Sequence, residues 1–331
     1  MISDKIIKYL RLARIHSSVL TGLTTCVVAV ATGIKLSIYH YIKLFLIGII
    51  FHIFLFVYNE ICDISIDKTS DKLKNKPLID GSVKVFNAKL MVLLSIILTL
   101  FLTFVFFLEK SIILIPLILF SILFGGLYDR IGKRFLHSDY LIASSIFFLA
   151  LYGGFSATYD LNLLAYIICA IAFIQMLAQN IVAGLKDADH DYLAGGISTP
   201  IRLGVKIKGK NIQITKKFIA YISVLKIIHI MLILTPFVFK IMPFEIWQFI
   251  IIIILVILTV IFMTKVLTLK IFKREKIMRA IGFHEMFSFM IIPFIIFVYI
   301  DIAGLLILVF SPIVWLGIFL IFLYGKLMPA I

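Results

Sequence analysis

Cysteine and acidic residues are both scarce in this sequence. Cys26, Cys62 and Cys169 are scattered without metal-ligand or paired spacing, so they predict neither a metal centre nor a disulfide framework. Only 17 of the 331 residues are Asp or Glu, against 32 Lys and Arg. No low-complexity linker is present, and no stretch suits a soluble domain. The sequence therefore gives no indication of a disulfide-bonded domain, a cysteine metal site or a separate soluble domain.

The chain is rich instead in apolar residues, which make up 63% of it and give a mean hydropathy of +1.16. A soluble domain is about 45–50% apolar, so the composition predicts a polytopic membrane protein. A spanning helix needs about 20 apolar residues. Ten segments of this kind occur, or nine if the break at Asp301 and Gly304 is only a kink. We therefore expect an all-α bundle forming a single transmembrane domain over residues 1–331. The ten segments are 17–34, 41–58, 88–108, 111–127, 140–157, 161–185, 217–239, 245–268, 283–300 and 302–325.

The N-terminal stretch MISDKIIKYLRLARIH is basic and amphipathic. No signal-peptide cleavage pattern of small residues follows it, so we treat residues 1–16 as part of the mature chain. Apolar residues such as Ile6, Ile7 and Leu10 suit a helix that lies in the headgroup layer.

Basic residues are divided unevenly between the two sides of the predicted membrane. One side, which includes the N-terminus, holds 27 of the 32 Lys and Arg residues, the other side holds 4, and Lys226 lies inside a span. This asymmetry predicts that the N-terminus and the basic connections are cytoplasmic. The net charge of +15 is then a topology signal with attraction to anionic membrane lipids added, and nucleic-acid binding is not predicted. The abundance of Ile and Lys suggests a prokaryotic cell membrane.

A first acidic cluster ends the second apolar segment. Asn59, Asp63 and Asp67 are spaced at i, i+4 and i+8, so on an α-helix they share one face over roughly 12 Å. His52 and Phe56 lie on the same face one and two turns earlier. We expect this helix to extend beyond the membrane surface into the long cytoplasmic connection of residues 59–87.

A second acidic cluster lies at the start of the long cytoplasmic connection of residues 185–216. Asp187 and Asp191 are again four residues apart, and Asn180 and Gly184 precede them on the same helical stripe. Long connections on one face are where function usually collects.

Like charges at i and i+4 weaken a helix by a few tenths of a kcal/mol, and a divalent cation would reverse that effect. Mg²⁺ prefers oxygen ligands and is usually held by one or two carboxylates together with substrate phosphates. Two helix faces that carry carboxylates at the same end of a bundle are therefore suited to bind a diphosphate through Mg²⁺. An ordinary solvated loop is the alternative for either cluster taken alone.

Several motifs resemble those of the UbiA superfamily of intramembrane prenyltransferases. NEICDISID at 59–67 resembles its first motif, N-D-x-x-D-x-x-x-D, and KDADHD at 186–191 resembles its second, D-x-x-x-D. KPLIDG at 76–81 is similar to R-P-x-x-S-G, and YDRIGKR at 128–134 to Y-S-x-x-x-K-R. GGISTPIRLG at 195–204 also fits. The resemblance covers residues 10–300 in order and topology.

The sequence departs from the family pattern at several positions. Glu60 stands where the family has Asp, and Lys76 replaces an Arg, which removes a bidentate phosphate fork. The interval from Asp67 to Pro77 is about two residues longer than in common members. Val182 stands in place of a tyrosine. These departures bear on which branch of the superfamily the chain resembles, more than on the resemblance to the superfamily itself.

The resemblance implies a bundle around a central cavity that opens sideways to lipid. An isoprenyl diphosphate donor would bind with its head at the cytoplasmic mouth, and its chain would move to a lipophilic or aromatic acceptor with release of pyrophosphate. Asp63, Asp67, Asp187 and Asp191 would be the catalytic aspartates. Mg²⁺ would be held by Asn59, Asp63, Asp67, Asp187 and Asp191, with Glu60 as a further candidate. The cations for the diphosphate would be Lys76, Arg130, Lys133, Arg134 and Lys186.

Ionisable side chains inside the predicted spans are functional candidates by default. His52 and Asn180 share the stripes of the two motifs and are candidates for the acceptor side of the cavity. Lys226 and His229 lie within a later span.

Two other functions remain open. A transporter would suit the polytopic architecture, although transporters typically place polar residues and broken helices near the bilayer midplane in two similar halves. A terpene cyclase of the same fold would begin with the same ionisation but need no acceptor. The acceptor itself is not identified: quinone precursors, a glyceryl-ether phospholipid precursor, a porphyrin and a sugar phosphate all occur within the superfamily.

Overall fold

The computed structural model describes residues 4–68, 73–132, 135, 137–189 and 198–327, apart from the side chain of Lys208. In these ranges the chain is almost entirely helical. The helices are α1 Asp4–Leu12, α2 Ser18–Ala31, α3 Ile38–Asp67, α4 Val85–Phe106, α5 Ser111–Ile131, α6 Asp139–Ala157, α7 Leu163–Ala183, α8 Thr199–Arg202, α9 Lys216–Val238, α10 Ile246–Leu267, α11 Arg274–Ile295 and α12 Ile302–Tyr324. Short 3₁₀ turns cover Ile15–Ser17, Leu108–Lys110, Gly184–Lys186 and Phe297–Tyr299.

Nine helices within the described ranges are long and apolar enough to cross a membrane. Asp4–Leu12 and Ile15–Ala31, bent by 56° at a short break, would together make a tenth. The predicted all-α, multi-pass membrane architecture is therefore confirmed. The choice between nine and ten spans arises at this N-terminal bend and not at Asp301, which caps a separate helix: its Oδ1 accepts a hydrogen bond from the backbone N–H of Gly304 at 2.7 Å.

The helices divide into inner and outer members. Of the 18 consecutive residues that make up the most apolar part of each helix, 56% are buried inside the protein in α6 but only 17% in α4. The exposed side chains of α4 are large and apolar, among them Leu93, Leu94 and Ile97, each more than half exposed. Such a surface suits contact with lipid chains, because lipid tails are as apolar as leucine.

Close contacts at small residues hold the inner helices together. A Cβ atom added at Gly153 of α6 would lie 2.1 Å from the carbonyl oxygen of Thr25 in α2. One added at Gly48 of α3 would lie 2.7 Å from the Cα of Gly22, also in α2. Glycine at such crossings lets two backbones approach closely. Helices α2, α3 and α6 therefore form a closely packed inner group, and this packing sets the orientation of α3 in the bundle.

A small antiparallel hairpin, which the sequence did not predict, connects two of the loops. Strands β1 Lys206–Lys208 and β2 Asn211–Gln213 pair with Ile207 opposite Ile212. The backbone N–H of Ile212 donates to the carbonyl of Lys270 at 3.0 Å, and that of Phe272 donates to the carbonyl of Lys210 at 2.8 Å. The loop before α9 is thereby joined to the loop before α11.

Candidate active site

The predicted stripe of α3 is observed. The helix is 30 residues long, about 45 Å, so it is longer than a span of about 20 residues needs to be. His52, Phe56, Asn59, Asp63 and Asp67 all line one cavity of about 560 Å³. We call these five residues the α3 wall. Whether this cavity is a central chamber that opens sideways to lipid stays a prediction, as do the roles of its residues.

Behind the α3 wall lies a buried network of ion pairs. Glu60 is 5% exposed and does not line the cavity. Its carboxylate accepts from the guanidinium of Arg14 at 2.5 Å and from Lys76 at 3.0 Å. The same ammonium of Lys76 donates to Asp67 Oδ2 at 2.7 Å. Glu60 therefore orients two cations at the cavity, Arg14 and Lys76, which both line it.

A compact turn places Lys76. The backbone N–H groups of Ile79 and Asp80 both donate to the carbonyl of Lys76 at 2.9 Å. Gly81 has a φ of +75°, a conformation that costs glycine little. The Asp80 side chain accepts from the N–H of Ser82 at 2.8 Å. The KPLIDG segment is thus a preformed turn whose first residue reaches the cavity.

Asp129 was missed by the sequence analysis. It lies near the end of α5 and accepts a hydrogen bond from the Asn59 amide at 3.0 Å through Oδ1. Its other oxygen, Oδ2, is buried and has no partner among the described residues, and the residue lines the cavity. The available signal was an acidic residue directly after Tyr128 in YDRIGKR, at a position where the family motif has Ser.

The second acidic cluster begins where α7 ends. The α-helix stops at Ala183 and continues as a 3₁₀ turn over Gly184–Lys186, so the predicted stripe is not one unbroken α-helix. Asn180, Gly184, Lys186 and Asp187 nonetheless line the cavity, and we call these four residues the α7 wall. Asp187 Oδ1 accepts from the guanidinium of Arg274 at 3.0 Å. Asp191 lies outside the described residues.

Asn180 belongs to a chain of hydrogen bonds between helices. Its amide donates to the hydroxyl of Tyr128 at 2.8 Å and to Asp139 Oδ1 at 2.7 Å. Thr199 donates to the other oxygen of Asp139. Because a side-chain amide has only two N–H donors, Asn180 has only its carbonyl oxygen left for a ligand.

His52 is similarly engaged. Its Nδ1 lies 2.9 Å from the hydroxyl of Thr21, and its Nε2 lies 3.3 Å from the backbone carbonyl of Arg14. Its ring packs on Phe56 with 4.1 Å between centroids. Nε2 therefore holds the bend at Arg14, whose φ of +46° breaks the helix there, and Nδ1 joins the ring to α2.

The predicted diphosphate cations are only partly brought together. Lys76 and Lys186 line the cavity, whereas Arg130 is exposed and is not among the residues that line it. Lys133 and Arg134 lie outside the described residues. Two cations that were not predicted, Arg14 and Arg274, line the cavity.

The donors fit a metal that is shared with a phosphate. Among the described residues, no group of three or more His, Cys, Asp or Glu could by itself hold a metal ion. The cavity nonetheless collects oxygen donors from Asn59, Asp63, Asp67, Asp129 and Asp187, one of them the orphaned Oδ2. Mg²⁺ is commonly held in this way, by one or two carboxylates plus substrate phosphates instead of a complete protein cage.

Comparison with known proteins identifies the class. The model of the UbiA prenyltransferase family matches residues 18–291. The chain therefore belongs to the UbiA prenyltransferase family, and the resemblance seen in the motifs is confirmed. No curated protein matches the chain.

Solved structures show the same fold. A UbiA homologue from Aeropyrum pernix K1 is 16% identical, with a TM-score of 0.65 over 86% of this chain and 98% of that one. A UbiA homologue from Archaeoglobus fulgidus, bound to GPP and Mg²⁺, is 20% identical, with a TM-score of 0.64 over 88% and 99%. A structure of digeranylgeranylglyceryl phosphate synthase is 22% identical, with a TM-score of 0.63 over 89% and 98%.

Proposed function

We propose that this protein transfers an isoprenyl chain from an allylic polyprenyl diphosphate to a lipophilic or aromatic acceptor and releases pyrophosphate in a Mg²⁺-dependent reaction. The observation that carries the proposal is one cavity that collects carboxylates and cations from α3, from the end of α5 and from beyond α7. The Archaeoglobus fulgidus homologue of the same fold, solved with GPP and Mg²⁺, supports the choice of donor and metal.

The acidic groups of both walls would hold the metal. The proposed ligands are Asn59, Asp63, Asp67, Asp187 and Asp191, and we add Asp129, whose Oδ2 has no partner in the described part of the chain. When bound, Mg²⁺ stabilises the negative charge that pyrophosphate gains as the C–O bond breaks. Glu60 is not a ligand in this proposal, because its side chain does not line the cavity.

Basic side chains would bind the diphosphate oxygens. Lys76 and Lys186 already line the cavity, and Arg14 and Arg274 add two guanidinium groups that suit phosphate. Lys133 and Arg134 remain proposals from the sequence, and Arg130 would have to turn from its exposed position to take part.

The apolar part of the cavity would protect the allylic cation. Below the acidic walls the lining is largely aliphatic, for example Val27, Ile146, Ile168 and Ile171. Such side chains exclude water that would otherwise capture a carbocation. The isoprenyl tail would lie against this surface and leave through a lateral opening into the bilayer.

The orientation in the membrane is also a proposal. The bias of Lys and Arg supports a cytoplasmic N-terminus and cytoplasmic connections at 59–87 and 185–216. With Asp187 and Asp67 at that end, the water-soluble head of the donor would be reached from the cytoplasm of a prokaryotic cell.

The direct test uses purified protein with labelled donors from geranyl to geranylgeranyl diphosphate, Mg²⁺ and a panel of acceptors. We expect Asp63→Asn and Asp187→Asn to lower pyrophosphate release by at least 100-fold, since each removes a ligand to the metal that stabilises the leaving group. Asp160→Asn is the matched control, because Asp160 is exposed and lies away from the cavity.

Full activity in both cavity variants would overturn the assignment of these aspartates. The absence of any Mg²⁺-dependent pyrophosphate release from the wild type would overturn the function itself and favour a transporter. Product analysis without an acceptor separates transfer from cyclisation.

A further inference from the structure

A second cavity, of about 620 Å³, lies where α10 and α11 meet, and we call it the basic groove. It is at the same end of the bundle as the two walls, because Arg274, which begins α11, pairs with Asp187. Five cations line it, one at the end of α10, two in the connecting loop and two on α11. In chain order they are Lys265, Lys270, Lys273, Lys276 and Arg279.

The basic groove faces away from the candidate active site. Each residue of an α-helix is rotated by about 100° from the one before it, so side chains two positions apart point roughly 200° apart. On α11, Met278 and Ile281 line the cavity of the active site, whereas Lys276 and Arg279, each two positions earlier, line the basic groove. The two cavities therefore lie on nearly opposite faces of α11 and share no residue.

The charge of the basic groove has one sign. No carboxylate lines it, and none of its five cations forms an ion pair with a carboxylate among the described residues. A concave surface lined by charge of one sign raises the local concentration of the opposite charge. The groove is therefore suited to an anionic ligand.

Aromatic rings lie beside these cations. The rings of Phe262 and Phe283 stack with 5.0 Å between centroids, and the ammonium of Lys265 lies 4.7 Å from the centroid of the Phe262 ring. On both helices the rings are further from the connecting loop than the cations are. The neighbouring surface of α10 is apolar, with Ile257 and Ile261 52% and 42% exposed. A ligand with an anionic head and an apolar tail would match both parts of this surface.

The loop that carries Lys270 and Lys273 is held in place by the hairpin. The backbone N–H of Ile212 donates to the carbonyl of Lys270 at 3.0 Å, and the N–H of Phe272 donates to the carbonyl of Lys210 at 2.8 Å. Lysines that served only to orient the chain in the membrane would act by their number and would need no fixed positions. The basic groove is thus a preformed surface.

We propose that the basic groove binds the head group of an anionic phospholipid, whose acyl chains lie along Phe262, Phe283 and the exposed face of α10. Basic pockets between spanning helices suit the phosphate of such head groups. A soluble phosphate would contact the cations but not the apolar surface. The inference is independent of the proposed function, because the groove contributes no residue to the candidate active site.

The test is native mass spectrometry of the detergent-solubilised protein, titrated with dioleoyl phosphatidylglycerol or dioleoyl phosphatidylcholine. These lipids share their acyl chains and differ in the net charge of the head group. We expect the wild type to bind the first phosphatidylglycerol about ten-fold more tightly than the first phosphatidylcholine. The groove variant, Lys265→Gln/Lys270→Gln/Arg279→Gln, should bind the two lipids alike, because it loses one cation from α10, one from the loop and one from α11.

The matched control is Lys84→Gln/Lys89→Gln/Lys217→Gln, which removes the same charge from the starts of α4 and α9 at the same end of the bundle. It should keep the preference. All six substituted side chains are exposed, so both variants should keep the thermal unfolding midpoint of the wild type.

Inorganic phosphate and geranyl diphosphate, each at the concentration of the lipid, should not displace phosphatidylglycerol. The inference is overturned if the wild type binds both lipids equally, or if the groove variant keeps the preference. It is also overturned if the control variant loses the preference to the same extent, or if either competing anion displaces the lipid.

Discussion

The α3 wall and the α7 wall carry similar side chains but are stabilised differently. The α3 wall is one continuous helix backed by a buried network in which Glu60 and Asp67 are each about 5% exposed. The α7 wall passes into a 3₁₀ turn at Gly184, and the side chains of its ion pair, Asp187 and Arg274, are 34% and 18% exposed. Loss of one partner lowers the stability of a protein more when the ion pair is buried than when it is exposed to water. We therefore expect the α3 wall to be the more rigid of the two and the α7 wall to adjust more readily to a ligand.

The largest effect should come from breaking the buried network of the α3 wall. Glu60→Ala leaves the charges of Arg14 and Lys76 uncompensated, and loss of one partner of a buried pair costs about 3–5 kcal/mol. We expect a clear fall in the thermal unfolding midpoint of the detergent-solubilised protein. Glu109→Ala, at an exposed carboxylate, should leave the midpoint unchanged. Equal midpoints for Glu60→Ala and the wild type would remove the distinction between the walls.

A smaller effect should appear at Asp129, where the α3 wall meets α5. Asp129→Asn replaces the orphaned oxygen with an amide N–H₂ group and leaves an amide oxygen as the acceptor for Asn59. Even a group that acts only through a neighbouring ligand typically contributes about 10–100-fold to metal affinity. We expect Mn²⁺, followed by electron paramagnetic resonance in the presence of geranyl diphosphate, to bind about 10-fold more weakly. Unchanged Mn²⁺ affinity would show that Asp129 has only a structural role. Asp160→Asn is the control variant.

The smallest effect on stability should come from the α7 wall. Arg274→Met removes the partner of Asp187, but a partly exposed pair contributes only about 0–1 kcal/mol. We expect the unfolding midpoint to move little while the KM for the donor diphosphate rises several-fold, because a guanidinium is lost at the cavity. A midpoint as low as that of Glu60→Ala would mean that both walls are equally rigid.

The sequence predicted the parts of the site that depend on local periodicity. The stripe from His52 to Asp67 follows from the 3.6-residue repeat alone, and it is observed as the α3 wall. The regular helix that this reasoning assumes ends before Asp187, because the chain tightens into a 3₁₀ turn over Gly184–Lys186, although Asp187 still lines the cavity with Asn180 and Gly184. Periodicity predicts a face only as long as the helix stays regular.

Contacts between helices were beyond the reach of the sequence. The pairs Arg14–Glu60 and Asn59–Asp129 join residues 46 and 70 positions apart, and the helix crossings that bring them together depend on packing. Nothing in the spacing of Asn180 indicated that Tyr128 and Asp139 would take both of its N–H donors. Such details decide which predicted residues are free to act.

The hairpin of β1 and β2 has a mechanical consequence for the mouth of the cavity. Its backbone bonds to the carbonyl of Lys270 and the N–H of Phe272 attach the loop that leads into α9 to the loop that leads into Arg274. Arg274 in turn holds Asp187. The loop before α9, the loop before α11 and the segment after α7 are thus joined to one another in that order. We therefore expect Asp187 and Arg274 to move together when a ligand enters on this face, so that the α7 wall keeps its charge balance.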